Sequence, residues 1–260
     1  RSSAASDVYK RQNKKYAIPL SITGASNYSL IPSQRSAILL LNRSILSSVA
    51  KVSGGEGIRI KPVGMHTKAE WTIQMSAIYS SLTRSNLTTA YLSNGTGGEF
   101  YTRISSTAGI QVKNGRDGDD TWTQIPLQAG KWLHITYVHK DKKTTVYVNG
   151  KVQKVFENSA ITFGENSMIV VGNSGYRNDY LREIRLWDKA LTESEINDYL
   201  YLPMDPATPH LISYLPLSKE METKDLKAPA GTENVTTKAR IEYVENVKFP
   251  ADELVIVNQE

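Results

Sequence analysis

The stretch Gly130–Lys151, GKWLHITYVHKDKKTTVYVNGK, narrows the fold more than any other part of the chain. Two runs rich in β-branched and aromatic residues flank the charged turn Lys140-Asp141-Lys142-Lys143, and Asn149-Gly150 supplies a second tight turn. In the first run Leu133, Ile135 and Tyr137 share one face, while Trp132, His134, Thr136 and Val138 share the other. A strand apolar on one face and only moderately polar on the other suits a sheet position covered on both sides. In the second run Val146 and Val148 share a face. The charges sit at the turn, where they do not interrupt the ladder.

Short strands recur on either side of this hairpin. Ile58–Pro62, Trp71–Ser80, Thr88–Ser93, Glu99–Ser105, Gly109–Lys113 and Thr121–Pro126 precede it, and Met168–Gly172, Tyr180–Trp187 and Leu211–Leu217 follow. Asn94-Gly95 and Asn114-Gly115 add turn signals, and the spacing predicts a sandwich or barrel. One helix is expected over Thr192–Leu200, because an N-cap Thr192 is followed three residues later by Glu195 and the run ends at Pro203.

Composition removes several classes of function. The chain of 260 residues has no cysteine, which excludes disulfides, thiol catalysis and thiolate metal sites. It has no apolar run of the roughly eighteen residues a spanning helix needs. The first twelve residues, RSSAASDVYKRQ, contain neither an apolar run nor a period, and DVYKRQ resembles a translated transposon end from sequencing libraries. Arg1–Gln12 is therefore read as a cloning or assembly artefact. Its Arg1, Asp7, Lys10 and Arg11 contribute +2 of the formal +5, leaving +3 for the rest. Those charges are interspersed, without the basic stripe that nucleic acid or an anionic membrane would call for.

The domain reading follows the same signals. Residues 13–44 hold two alternating segments, Ala17–Ile22 and Ser36–Leu41, too few to bury a core, and are read as the remnant of a truncated β-domain. Residues 45–56, rich in Ser and Gly, are expected to be a linker, with one short helical turn as the alternative over Ser44–Val52. Residues 57–226 form the main all-β domain, and 227–260 an extension whose strands are expected to pack on it.

Four segments occur in a telling order: WTIQMSA (Trp71–Ala77), the hairpin Gly130–Lys151, YLREIRLWDKALTESEI (Tyr180–Ile196) and HLISYLPLSKE (His210–Glu220). Together they resemble the LamG-like, concanavalin A-type jelly roll, an antiparallel two-sheet sandwich. The remnant YAIPLSITGASNYSLIPSQRSAILLL is similar to the end of a β-domain of unknown function in Bacteroidota surface proteins. The resemblances imply an envelope lipoprotein of the bacterial cell surface, outer membrane or periplasm, tied to polysaccharide use. A glycan or polysaccharide is the expected partner, with other envelope proteins as a second class.

Catalytic members of that superfamily carry a Glu-x-Asp-x-Glu strand, because two carboxylates about 5–5.5 Å apart must act as acid and nucleophile. No strand here has it. Glu183 has Leu181 and Arg185 as its period-two neighbours, so a structural Glu–Arg bridge is expected, and no catalytic residue is assigned. Glu193 and Glu195 are two apart on the expected helix and share no face. The histidines, His66, His134, His139 and His210, have no metal-ligand spacing, and the resemblance implies a packing role for His134.

Two loops are candidates for ligand contact. Asn114–Asp120, NGRDGDD, offers Asp117, Asp119 and Asp120 as a calcium set, although a solvated hairpin end is the preferred reading. Beside it, Trp122 is the one tryptophan outside the fold signatures and the best platform for a sugar ring. Asn173–Tyr180, NSGYRNDY, gathers Tyr176, Arg177, Asn178, Asp179 and Tyr180 in what reads as a loop before a strand, with a polar connection as the alternative.

Overall fold

The computed structural model describes residues 16–21, 36–41, 44–63, 67–83, 88–113, 115, 117–172 and 176–258, with backbone alone for 16–21, 36–41 and 176. The readings made on Arg1–Gln12, His66 and 173–175 lie outside these residues. The chain divides into two units, Arg1–Ile45 and Leu46–Glu260. In the first, β1 (Tyr16–Ser21) pairs antiparallel with β2 (Ser36–Leu41), Tyr16 opposite Leu41 and Ser21 opposite Ser36.

The second unit is a two-sheet antiparallel jelly roll, the architecture expected. Its strands are β3 (Ile45–Gly54), β4 (Ile58–Ile60), β5 (Trp71–Ile78), β6 (Ala90–Ser93), β7 (Thr96–Gly97), β8 (Tyr101–Ser105) and β9 (Gly109–Lys113). They are followed by β10 (Trp132–Lys140), β11 (Lys143–Val148), β12 (Lys151–Glu157), β13 (Ile161–Thr162), β14 (Met168–Val171) and β15 (Tyr176–Trp187). After the helix α1 (Glu193–Asp198) come β16 (Leu211–Leu215), β17 (Val235–Thr236) and β18 (Arg240–Phe249). An eight-stranded sheet runs β12-β11-β10-β5-β15-β3-β18, with β16 also on β15, and a six-stranded sheet runs β17-β4-β14-β6-β8-β9.

Alternation sends one side of every strand into the space between the sheets. Ile73, Met75, Ile135, Tyr137, Val146 and Leu181 come from the larger sheet, and Ile58, Ile60, Ala90, Ile110, Val112 and Ile169 from the smaller. Each fully buried aliphatic side chain of this kind stabilises by about 1.5–3 kcal/mol. The hairpin Lys131–Asn149 forms as read, β10 sitting between β5 and β11. Its second face is covered too: Val138, Tyr147 and Trp187 pack under Leu191, Ile196 and Met204 of the segment carrying α1. Both halves of the capping box at Thr192 and Glu195 are present.

Two expectations need correction. The segment expected as a linker is β3, a ten-residue strand of the larger sheet between β15 and β18. Its serines hide this, yet Ser48 is buried and its Oγ accepts the amide of Lys219 at 2.7 Å; burial between neighbours overrides weak local propensity. Thr121–Pro126 makes only an isolated bridge, Trp122 to Gln111, after a 3₁₀ turn over Asp119–Thr121. Residues 227–260 give each sheet one strand, β17 beside β4 and β18 beside β3.

Candidate functional site

Trp71, Trp132 and Trp187 are buried in the sandwich, whereas Trp122 is half-buried. The strand that precedes it sets its position. Thr123 N donates to Ile110 O at 2.9 Å, Ile110 N donates to Thr123 Oγ1 at 3.0 Å, and so the segment after the 3₁₀ turn lies along β9. Lys154 of β12 donates to the carbonyls of Trp122 and Asp120 at 2.7 and 2.8 Å. Trp122 thereby stands at the edge of the six-stranded sheet, tied also to the edge strand of the other.

Beside it, alternation puts Tyr91, Tyr101, Arg103, Gln111 and Lys113 on the face opposite Ala90, Ile104, Ile110 and Val112 of the core. Register makes this face a pattern. Arg103 lies opposite Gln111, and Gln111 bridges to Trp122. Lys113 lies opposite Tyr101, Tyr101 opposite Tyr91, Tyr91 opposite Val170 and Val170 opposite Arg59. The rings of Tyr91 and Tyr101 are 6.0 Å apart, and the Arg103 guanidinium lies 5.4 Å from the Tyr101 ring centre. Thr88 donates to the Tyr101 hydroxyl at 2.9 Å, which fixes that ring.

Polar atoms between these rings are partly unspent. Gln111 Nε2 donates to Thr121 Oγ1 at 2.9 Å and to Asp117 Oδ1 at 3.3 Å, which fixes the amide. Its Oε1 is buried without a partner among the described residues, and so is Arg103 Nε. Leaving such a group unpaired costs about 1–3 kcal/mol. A donor and an acceptor side by side across a strand pair match two neighbouring hydroxyls, each of which both donates and accepts.

The acidic loop does not form the calcium set. Among the described residues no three His, Asp or Glu side chains converge as metal ligands. Asp117 is instead paired with Lys113 at 3.1 Å, whose ammonium holds the carboxyl below its usual range. Asp119 and Asp120 are exposed on the 3₁₀ turn.

The other predicted residues are placed elsewhere and differently. Tyr176–Tyr180 begins β15 instead of forming a loop; Arg177 lies opposite Ser53, and a bulge separates Arg177 from Asp179. Asn178, at φ 60°, occupies that bulge, a conformation asparagine tolerates. Arg177 and Asn178 are exposed and Tyr180 is half-buried, but Asp179 is fully buried. Asp179 Oδ1 accepts the Ser80 amide at 2.8 Å and the Ser80 hydroxyl at 2.9 Å, a structural clasp. These residues contact β3 and Ser80, and Trp122 contacts β9 and β12, so the two halves of the predicted site are not brought together. Tyr91, Tyr101, Arg103 and Gln111 went unrecognised because outward strand positions carry no local mark.

Glu183 is the centre of a buried network. Its carboxylate takes Arg185 at 2.5 Å, Arg182 at 3.5 Å and the Tyr214 hydroxyl at 3.1 Å. Its φ of 55° sits in a second bulge of β15, between Arg182 and Arg185. The two arginines reach on to the carbonyls of Tyr199, Tyr201 and Leu202, fastening that segment to the sheet. His134 is packed beneath it, bonded to Ser76 Oγ at 2.6 Å and edge-on to Tyr201.

A family model described as the concanavalin A-like lectin/glucanases superfamily matches residues 53–197. A candidate carbohydrate-binding protein from Bacteroides ovatus is similar in structure, with 18% identity, TM-score 0.58, and coverage of 89% of this chain and 69% of that one. A heptameric SAP-like pentraxin from Limulus polyphemus gives 14% identity and TM-score 0.48, covering 76% and 94%. Domain 4 of an extracellular arabinanase from Geobacillus stearothermophilus, in complex with arabinotriose, gives 14% identity and TM-score 0.42, covering 71% and 87%. No curated protein matches the sequence.

Proposed function

The chain belongs to the concanavalin A-like lectin/glucanases superfamily, and from that premise we propose that it is a non-catalytic carbohydrate-binding module of a bacterial surface protein. The observation that carries this reading is the aromatic and polar face of the six-stranded sheet. Trp122 and Tyr101 offer half-buried rings to the apolar side of a sugar, and Gln111 Oε1 with Arg103 Nε reads its hydroxyls. Both atoms are buried, so this reading requires the Arg103 side chain, which makes no ion pair among the described residues, to swing aside when a sugar binds. The fold shared with the candidate carbohydrate-binding protein from Bacteroides ovatus supports this role.

The non-catalytic part of the proposal rests on carboxylates. The sequence lacks the Glu-x-Asp-x-Glu strand, and Glu183, the buried acid of β15, is neutralised by two arginines. A turnover assay on the glycan that binds best should yield no product. Affinity electrophoresis against a polysaccharide panel tests binding, with Trp122→Ala and Tyr101→Ala expected to lose retardation while remaining folded. Full retention by both variants rejects the site. Absence of binding to every glycan favours the second reading, a structural or adhesive module, for which the exposed β12 edge with Val152 and Val155 is the specific feature.

A further inference from the structure

We propose that the glycan-binding face extends across the sheet into a second subsite, so that it takes an internal stretch of a neutral polysaccharide chain. This inference rests on the carbohydrate reading above. Lys113, Tyr101, Tyr91, Val170 and Arg59 are successive register partners, one from each of five neighbouring strands. They form a line across β9, β8, β6, β14 and β4, in which Lys113, Tyr101, Tyr91 and Arg59 reach the surface and Val170 lies fully buried beneath it. With strands about 4.8 Å apart, four gaps span roughly 19 Å.

At the far end of that line lies a cavity of about 610 Å³ lined by Arg59, Lys61, Val63, Glu165, Met168 and Asn234. Arg59 is therefore both the last member of the line and a wall of the cavity. The volume falls within the few hundred to about 1,000 Å³ usual for small-ligand sites. Val63 and Met168 give it an apolar side, and amide and charged groups of both signs surround them, the combination a sugar ring needs. Nothing in the mechanism of the Trp122 site uses this cavity.

Charge selects the polymer. Arg59 is paired with Glu56 at 3.0 Å and Lys113 with Asp117 at 3.1 Å, while Lys61 in the cavity and Arg103 beside Tyr101 are offset by Glu165 and Glu233, which also line the cavity. The track is nearly balanced, so an acidic chain gains little along it, whereas hydroxyls meet donors and acceptors at both ends. A single sugar touches one subsite. Only a chain touches both at once, and linking two weak contacts raises affinity by a factor on the order of 10²–10⁴ when the spacing fits.

The test is titration calorimetry of the full chain with arabinan, xylan, galactomannan, mixed-linkage glucan and polygalacturonate, followed by a length series from the best binder. Affinity is expected to rise at least about tenfold between disaccharide and octasaccharide. Lys61→Ala and Val63→Asp, both at exposed positions, should weaken the octasaccharide about fivefold or more and leave the disaccharide unchanged. Trp122→Ala should weaken both. Length-independent affinity, with the Lys61 and Val63 variants behaving as wild type while Trp122→Ala still fails, overturns the extended track and leaves the carbohydrate reading standing. Binding to polygalacturonate alone overturns the neutral assignment, and binding to no glycan overturns both readings.

Discussion

Trp71 and His139 face each other directly across β5 and β10 and stack, ring centroids 5.0 Å apart and planes 18° from parallel. Both hold the same residue. Trp71 Nε1 donates to Ile161 O at 2.9 Å, and Ile161 N donates to His139 Nε2 at 3.2 Å. The pair thereby clamps the peptide groups at the start of β13 to the larger sheet. Nε2 must be unprotonated to accept that bond, so the proton sits on Nδ1, which bonds Thr144 Oγ1 at 3.0 Å.

That requirement fixes a pH dependence. Burial pushes His139 down to about 4, and burial with the nearby Arg182 and Arg185 charges pushes His134 down to about 3. Both lie below the unfolded value of about 6.5. The unfolded chain then binds more protons than the folded one as pH falls below about 6.5, so the stability from these groups is full above that pH and is lost on acidification towards 4. Urea midpoints should be flat between pH 7 and 8 and fall between pH 6.5 and 5. His139→Gln should lower stability at pH 7.5 and flatten the fall; a variant with the full wild-type slope would show that His139 takes no part in it.

Glu183→Gln should be costly although it preserves shape. The substitution leaves Arg182 and Arg185 buried without a counter-charge, which costs about 3–5 kcal/mol when a buried pair loses one partner. The damage should localise to the segment that both arginines fasten, so hydrogen exchange at 199–204 should accelerate more than exchange in β10. Glycan binding on the six-stranded sheet should be unaffected below the melting temperature. A variant as stable as wild type would mean that the network contributes nothing net.

The parts of the sequence that could be read were those whose signals are local. The hairpin of β10 and β11 carries its own alternation and turns, and the helix carries both halves of its capping box within four residues. Trp122 could be singled out because the other three tryptophans fall within fold signatures. The strand β15 was half missed since Asn178 and Asp179 look like loop punctuation, when they mark a bulge and a buried clasp. Tyr91, Tyr101 and Arg103 could not be assembled at all. Their proximity to Trp122 follows from the order β14-β6-β8-β9, a long-range pairing that no window of sequence records.

Asp179→Ala tests whether the predicted ligand loop is structural. Removing the fully buried carboxylate takes away the acceptor shared by the amide and hydroxyl of the exposed Ser80, bonds worth about 0.5–1.5 kcal/mol each. Thermal melts should show the loss, and sugar affinity at 20 °C should stay within about twofold of wild type. A large loss of affinity with unchanged stability would instead return Asp179 to the binding site.

Gly109→Ala should disable the site without touching any residue that faces the sugar. Gly109 opens β9 with φ 79°, a left-handed conformation that favours glycine. A Cβ there would lie 2.2 Å from Thr123 Oγ1 and 2.4 Å from Ile125 O, atoms of the segment that β9 holds. Thr123 must move, and with it the pair of bonds to Ile110 that fixes Trp122 beside Gln111. The expected result is a fall in stability of about 1–3 kcal/mol together with loss of glycan binding and a red-shifted, quenchable Trp122 fluorescence. Serine at position 109 should reproduce it, since the strain comes from the Cβ. If Gly109→Ala keeps both the Trp122 environment and full affinity, the anchoring of Trp122 through Thr123 is wrong.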